Sequence, residues 1–78
     1  MKSVKVYGTV SCVYCRMAKE FFKENKIEYT EKDVYLDEEA RNEMVKKTGQ
    51  SGVPVIEIGS EVIIGFDKGK IKELLEIR

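Results

Sequence analysis

Apolar and polar residues alternate along several short segments that are rich in β-branched side chains. Val4 and Val6 flank Lys5 and lead to Gly8, which predicts a first strand ending in a loop. We expect three further strands, over Ile27 to Val34, Val53 to Ile58 and Glu61 to Ile64. Gly59-Ser60, which joins the last two, is a two-residue hairpin signal and predicts that these two strands are antiparallel.

Three other segments carry apolar residues at helical spacing. The first helix is expected from about Tyr14 to Asn25. Asp37 is a plausible N-cap for the second helix, and Gly49 is well placed to end it. Asp67 can cap the third. The inward-facing residues predicted for the three helices are Ala18, Phe21 and Phe22; Ala40, Met44 and Val45; and Ile71, Leu74 and Leu75.

The predicted order of elements is therefore βαβαββα. A helical crossover between the first two strands makes them parallel, whereas the last two form an antiparallel hairpin. This order predicts one α/β domain over residues 1–78, with a mixed four-stranded sheet and three helices.

The amino-acid composition argues against nucleic-acid and membrane partners. The chain has 78 residues, 42% of them hydrophobic, and its 14 basic and 14 acidic side chains balance. No basic surplus is available to neutralise phosphates, so we expect no nucleic-acid partner. No apolar run is long enough to cross a bilayer, so we expect no membrane association. We expect a cytoplasmic monomer, in a compartment where thiols stay reduced.

The two cysteines stand three positions apart, directly ahead of the first helix. Cys12 is expected in the loop and Cys15 in the first helical turn. Unpaired N–H groups and the macrodipole at a helix N-terminus favour a thiolate, which is the nucleophilic form of cysteine. A stabilised thiolate is also a good leaving group when a second thiol attacks its mixed disulfide. The spacing lets Cys15 make that attack, so the pair is suited to disulfide exchange.

Two other uses of the cysteines compete with this interpretation. A structural disulfide would close a very small loop, worth only about 2 kcal/mol in the chain-entropy model. A metal site is a stronger rival, although two thiolates are too few for a closed tetrahedral zinc site. The chain contains no histidine, which excludes a Cys–His catalytic pair.

Three segments together resemble the active site of glutaredoxins. They are Tyr7-Gly8-Thr9-Val10-Ser11-Cys12-Val13-Tyr14-Cys15, Thr48-Gly49-Gln50-Ser51-Gly52-Val53-Pro54 and Gly65-Phe66-Asp67. The similarity covers essentially the whole chain in length and element order. It implies a thioredoxin fold and a thiol–disulfide oxidoreductase with Cys12 and Cys15 as catalytic residues. The implied substrates are disulfide-containing or glutathionylated proteins, with glutathione as reductant and no tightly bound cofactor.

The resemblance also implies roles for residues outside the cysteine pair. Pro54 would follow a cis peptide bond and face the cysteines, and the backbone of Val53 would pair with an extended thiol substrate. Gly65 and Asp67 match positions that hold the γ-glutamyl end of glutathione. The resemblance also implies that Tyr14 flanks the thiol and that Gln50 contacts glutathione.

The chain departs from the family pattern at three places. One is Val13, where glutaredoxins commonly have a Pro after the first cysteine. Glutaredoxins usually carry a Lys where this chain has Thr9, and that Lys meets a glutathione carboxylate. Gly65-Phe66 is similar instead to the small redoxins that reduce ribonucleotide reductase and take electrons from thioredoxin reductase. Thioredoxin reductase is therefore an alternative electron donor. A different alternative is a non-enzymatic module, in which two chains bridge an iron–sulfur cluster through Cys12 with glutathione as a further ligand.

Overall fold

Strands and helices follow one another in the predicted βαβαββα order. The computed structural model describes residues 3–76, so the ends of the expected 1–78 domain lie outside it. The elements are β1 (Val4–Gly8), α1 (Val13–Glu24), β2 (Thr30–Asp33), α2 (Glu38–Thr48), β3 (Val55–Ile58), β4 (Glu61–Ile64) and α3 (Lys68–Leu75). No helix between residues 3 and 76 is long and apolar enough to span a membrane.

The four strands form one mixed sheet in the order β2-β1-β3-β4. β1 and β2 are parallel, because α1 carries the chain back to the starting end of the sheet. β3 pairs antiparallel with β1 and with β4, and Gly59 and Ser60 form the turn of the β3–β4 hairpin. The predicted sheet type and strand directions are confirmed.

Helices cover both faces of the sheet, since side chains alternate along each strand. Val4 and Val6 of β1 face α1 and α3, whereas Tyr7 faces α2. The buried core on the α1 and α3 side consists of Val4, Val6, Ala18, Phe21, Phe22, Ile56, Ile58, Ile63 and Ile71. A smaller core beneath α2 consists of Tyr7, Val34, Ala40, Met44 and Val55.

Two strands are shorter than the sequence pattern predicts. β2 was expected from Ile27, but the Ile27 N–H donates to the carbonyl of Phe22 at 2.8 Å and so completes the end of α1. β3 begins at Val55 rather than Val53, because Pro54 has no N–H to donate to a strand partner. In α2, Val45 was expected to face inward but lies at the surface.

A charged cluster joins α2 to the sheet around the fully buried Tyr7. The Tyr7 hydroxyl donates to Glu43 Oε1 at 2.5 Å and accepts from Lys47 Nζ at 3.2 Å. Lys47 also contacts Glu57 Oε2 at 2.8 Å, and Lys5 reaches Glu43 Oε1 at 3.4 Å. We call Lys5, Tyr7, Glu43, Lys47 and Glu57 the Tyr7 cluster. Its two lysines and two glutamates balance, so α2 is held to the sheet with no uncompensated charge.

Loss of the Glu43 charge should weaken the protein in acid. The hydrogen bond from Tyr7, followed by that from Lys47, lowers the pKa of Glu43 to about 2. A carboxyl whose pKa is lower in the folded chain than in the unfolded chain stabilises at neutral pH. That stabilisation is lost as the pH falls from about 4.5 towards 2. We expect Glu43→Gln to cost about 1 kcal/mol at neutral pH, because the partly exposed carboxylate is screened by solvent.

Urea unfolding of the wild type and Glu43→Gln at several pH values measures this effect. The difference in unfolding free energy should shrink as the pH approaches 2. Glu20→Gln on the exposed side of α1 is the control, with little effect expected at any pH. A difference between wild type and Glu43→Gln that stays constant down to about pH 2 would contradict the assignment.

Candidate active site

Cys12 occupies the N-cap position of α1, and its side chain serves as the cap. Its backbone is extended, with φ −88° and ψ 117°, and its Sγ accepts the N–H of Cys15 at 3.2 Å. The Cys12 carbonyl accepts the N–H of Arg16 at 3.1 Å, as the first backbone bond of the helix. The half-exposed sulfur is therefore directed at the positive end of α1, where a negative charge is stabilised.

Cys15 lies behind Cys12 and is buried, with 1% of its surface exposed. Burial, followed by the hydrogen bond with Cys12, raises the pKa of the Cys15 thiol to about 11. Cys15 is therefore protonated at neutral pH in the reduced protein. The two sulfurs, one turn apart, therefore differ in exposure: Cys12 is half-exposed and Cys15 is buried.

Gly8 at the end of β1 makes this burial possible. A Cβ at Gly8 would lie 2.6 Å from Cys15 Sγ and 3.0 Å from Cys15 Cβ. Both distances are shorter than van der Waals contact, so only glycine lets β1 approach the second cysteine this closely. The sequence pattern predicted Gly8 as a strand end but gave no sign of this contact.

Strand register brings the three predicted site segments to one end of the sheet. Tyr7 pairs with Val55, and Val55 pairs with Ile64. One residue further along, the same register places Pro54 beside Gly8, and Gly65 beside Pro54. Gly8, Pro54 and Gly65 thus form a row across the end of the sheet. The Gly65 N–H donates to the Pro54 carbonyl at 2.7 Å within this row. The loop that carries Cys12 begins immediately after Gly8, at this same end.

The Val53–Pro54 peptide bond is cis, as the resemblance implied, and Pro54 is buried. Gly65 adopts a left-handed conformation, with φ +86°, that disfavours other residues. Asp67 caps α3, since its Oδ1 accepts the N–H of Lys70 at 3.1 Å. The N-termini of α1 and α3 thus both follow strands that end in this row.

The remaining predicted site residues differ in how far their side chains are available. Tyr14 is 62% exposed on the first turn of α1. Phe66 is half-buried and packs edge-on against Phe21, with ring centroids 5.9 Å apart. The amide of Gln50 is engaged within its own loop, where its Oε1 accepts the Gly52 N–H at 2.6 Å and its Nε2 donates to Thr48 and Gly52.

Comparison with known protein sequences shows which family this chain belongs to. The sequence model of glutaredoxins matches residues 4–63, from β1 to β4. The chain belongs to the glutaredoxin family. A glutaredoxin-like 8.6 kDa protein from a rubredoxin operon of Clostridium pasteurianum is 40% identical over 73 residues, which cover 94% of this chain and 97% of that protein. Glutaredoxin 3 of Escherichia coli strain K12 is 31% identical over 67 residues, or 86% of this chain and 81% of that protein.

Solved structures agree with this assignment. A crystal structure of a mutant of the thioredoxin-like protein BC3987 is 37% identical and superposes with a TM-score of 0.92, covering 100% of both chains. The thioredoxin fold expected for a glutaredoxin is therefore confirmed.

An ion pair next to Cys15 was not predicted as part of the glutaredoxin site. Lys19 of α1 contacts Glu31 of β2 at 2.5 Å, and the hydrogen bond with Glu31 raises the pKa of Lys19. Both residues line a cavity of about 10 Å³ that reaches Cys15. The sequence places Lys19 one turn after Cys15, where its charge can add positive potential near the cysteines. Its contact with Glu31 could not be predicted, because it depends on how α1 packs on the sheet.

Replacement of Gly8 by alanine should damage both stability and the arrangement of the cysteines. The added Cβ collides with Cys15 Sγ, and such overpacking typically costs about 1–3 kcal/mol. Gly69→Ala is the matched control. Its Cβ would meet only Asp67 Oδ1 at 3.7 Å, and alanine favours a helix more than glycine does.

Denaturant unfolding of the two alanine variants measures this difference directly. Gly8→Ala should unfold at lower denaturant concentration than the wild type, whereas Gly69→Ala should match or exceed it. Wild-type stability in Gly8→Ala would show that β1 and Cys15 are not held together as the geometry indicates.

Proposed function

We propose that this glutaredoxin reduces protein disulfides or glutathione mixed disulfides through the Cys12–Cys15 dithiol. The observation that carries the proposal is the unequal placement of the two sulfurs. Cys12 is half-exposed at the N-cap of α1, whereas Cys15 is buried and held protonated by its raised pKa. The accessible sulfur is the one that the helix end favours as a thiolate, and it is therefore the attacking group.

The exchange proceeds in two displacements. The Cys12 thiolate attacks one sulfur of the substrate disulfide, forming a mixed disulfide and releasing the other substrate sulfur as a thiolate, which takes a proton from solvent. Cys15 then loses its proton to solvent and attacks Cys12 Sγ, which releases the second substrate thiolate. Two electrons pass from the dithiol to the substrate, and a Cys12–Cys15 disulfide remains.

A glutathionylated substrate needs only the first cysteine. The Cys12 thiolate attacks the glutathione sulfur of the substrate's mixed disulfide and releases the reduced substrate thiolate, which takes a proton from solvent. A second, free glutathione thiolate then attacks the Cys12–glutathione disulfide. The products are the glutathione disulfide and the Cys12 thiolate, so no protein thiol is consumed. Cys15 takes no part in this route.

Glutathione is the proposed reductant, and the end of the sheet described above is its proposed binding surface. Val53 would offer backbone hydrogen bonds beside Pro54, while Gly65 and Asp67 receive the γ-glutamyl end. Asp67 caps α3 with one carboxylate oxygen, and its charge favours the ligand's ammonium group. Tyr14, Gln50 and Phe66 complete the proposed set of contact residues.

Two observations favour thioredoxin reductase as an alternative donor. The chain has Thr9 where glutaredoxins usually have a lysine for a glutathione carboxylate. The Gln50 amide is engaged in loop hydrogen bonds and would have to release them to contact glutathione. A cytoplasmic location fits either donor, because cytosolic thiols are kept reduced.

An iron–sulfur module is the second alternative, with Cys12 of two chains and glutathione as the ligands. Within residues 3–76 there is no cluster of three or more His, Cys, Asp and Glu side chains arranged to hold a metal ion. Two thiolates supply only half of a tetrahedral set. A cluster would need ligands from outside the chain.

Serine variants of the two cysteines test the division of roles. Cys12→Ser should lose all exchange, because a hydroxyl is not a nucleophile under these conditions. Cys15→Ser should keep glutathione-dependent reduction of glutathionylated substrates and lose reduction of protein disulfides by at least about tenfold. Turnover of each substrate, followed by NADPH consumption, measures both. Full activity in Cys12→Ser would overturn the mechanism, and intact protein-disulfide reduction in Cys15→Ser would refute the resolving role.

The electron donor is tested with two coupled assays on a small disulfide. One contains glutathione and glutathione reductase, and the other contains thioredoxin reductase alone. Asp67→Asn removes the charge but keeps a good N-cap, so stability should be unchanged while the KM for glutathione rises about threefold to tenfold. Turnover only with thioredoxin reductase, or an unchanged KM in Asp67→Asn, would contradict the proposed glutathione surface.

A further inference from the structure

The second displacement needs a thiolate at the sulfur that is least able to form one. Cys15 is 1% exposed, and burial is the largest of the effects that raise its pKa. At neutral pH its proton must nevertheless leave before the sulfur can attack the mixed disulfide. The groups around Cys15 therefore decide how fast resolution proceeds.

The charge around Cys15 changes when the mixed disulfide forms. In the reduced protein, Cys12 raises the pKa of Cys15 both by hydrogen bonding and by its charge. A Cys12 sulfur bonded to substrate carries no charge, so its charge no longer opposes thiolate formation. A hydrogen bond with the Thr9 backbone and the ammonium of Lys19 both lower the pKa of Cys15, against the effect of burial.

Lys19 is held where it can act on this sulfur. Its ammonium contacts Glu31 at 2.5 Å, and its side chain is only 22% exposed. Lys19, Glu31 and Asp33 line the same cavity as Cys15. Its volume of about 10 Å³ has room for one water molecule at most. One oxygen of the Asp33 carboxylate, Oδ1, accepts the N–H groups of Tyr35 and Leu36.

We infer that Lys19, held in place by Glu31, is a positioning residue for the resolving step. Its ammonium stabilises the Cys15 thiolate while that thiolate attacks Cys12 Sγ and expels the substrate sulfur. The inference rests on the proposed dithiol mechanism, and it assigns the ion pair between α1 and β2 a part in that mechanism. The proton released by Cys15 goes to solvent, and Lys19 itself stays protonated throughout.

A two-stage release assay separates the two displacements. The reduced protein is mixed in a stopped-flow instrument with an aromatic disulfide that yields a coloured thiolate. The first equivalent appears when Cys12 attacks, and the second appears when Cys15 resolves the mixed disulfide. The rate of each stage is recorded over the neutral and alkaline pH range for the wild type, Lys19→Gln, Lys19→Arg and Lys23→Gln.

Lys19→Gln should slow only the second stage. Loss of one nearby positive charge reduces the thiolate fraction of Cys15 by about tenfold at neutral pH. The more basic thiolate is a better nucleophile, with a Brønsted slope of about 0.4–0.5, so the rate should fall only about threefold to fourfold. Its pH profile should move to more alkaline values. Lys19→Arg, which keeps the charge and the pair with Glu31, should restore wild-type behaviour, as should Lys23→Gln at the exposed end of α1.

Three results would count against the inference in distinguishable ways. An unchanged second stage and pH profile in Lys19→Gln would overturn it, as would an equal loss in Lys19→Arg. Release of only one equivalent by the wild type would overturn the dithiol mechanism itself. Circular dichroism checks the fold of each variant, and Lys19→Met, which keeps the apolar stem, replaces Lys19→Gln if that variant does not fold.

Discussion

The antiparallel pairing of β1 with β3 is the constraint on which the site depends. It fixes Tyr7 opposite Val55, so the loop that follows β1 and the proline that precedes β3 must lie at the same end of the sheet. β4 then brings Gly65 to that end as well, and the Gly65–Pro54 hydrogen bond holds the row together. A one-residue slip in this register would turn the side chains of the slipped strand to the opposite face and would move the cysteine loop away from the proline.

At this end of the sheet, the thiols of Cys12 and Cys15 are chemically identical but lie in different environments. Cys12 caps a helix and remains half-exposed, whereas Cys15 is packed against Gly8 one turn later. Burial disfavours a charged sulfur, and the helix end favours one. The spacing of three residues therefore gives the two thiols different environments. The exposed Cys12 is suited to attack a substrate disulfide, and the buried Cys15 is suited to resolve the mixed disulfide.

The sequence was sufficient for features that depend on local patterns. Element order, the caps at Asp37 and Asp67, and the position of Cys12 ahead of a helix all follow from periodicity and capping rules. Contacts between distant segments were not readable in this way. Examples are the close approach of Gly8 to Cys15, the Lys19–Glu31 pair and the start of β2 at Thr30 rather than Ile27. These features depend on packing that no local pattern encodes.

The two ion-paired sites on opposite faces of the sheet have different consequences. Each lysine of the Tyr7 cluster lies between two glutamates, and no group in it changes charge during disulfide exchange, so its effect is confined to stability. Lys19 pairs with Glu31 and lines the same cavity as the Cys15 thiol, which in the proposed mechanism becomes a thiolate once per turnover. A chain with no net charge can thus still carry a local field at the buried sulfur where, in the proposed mechanism, a charge has to form.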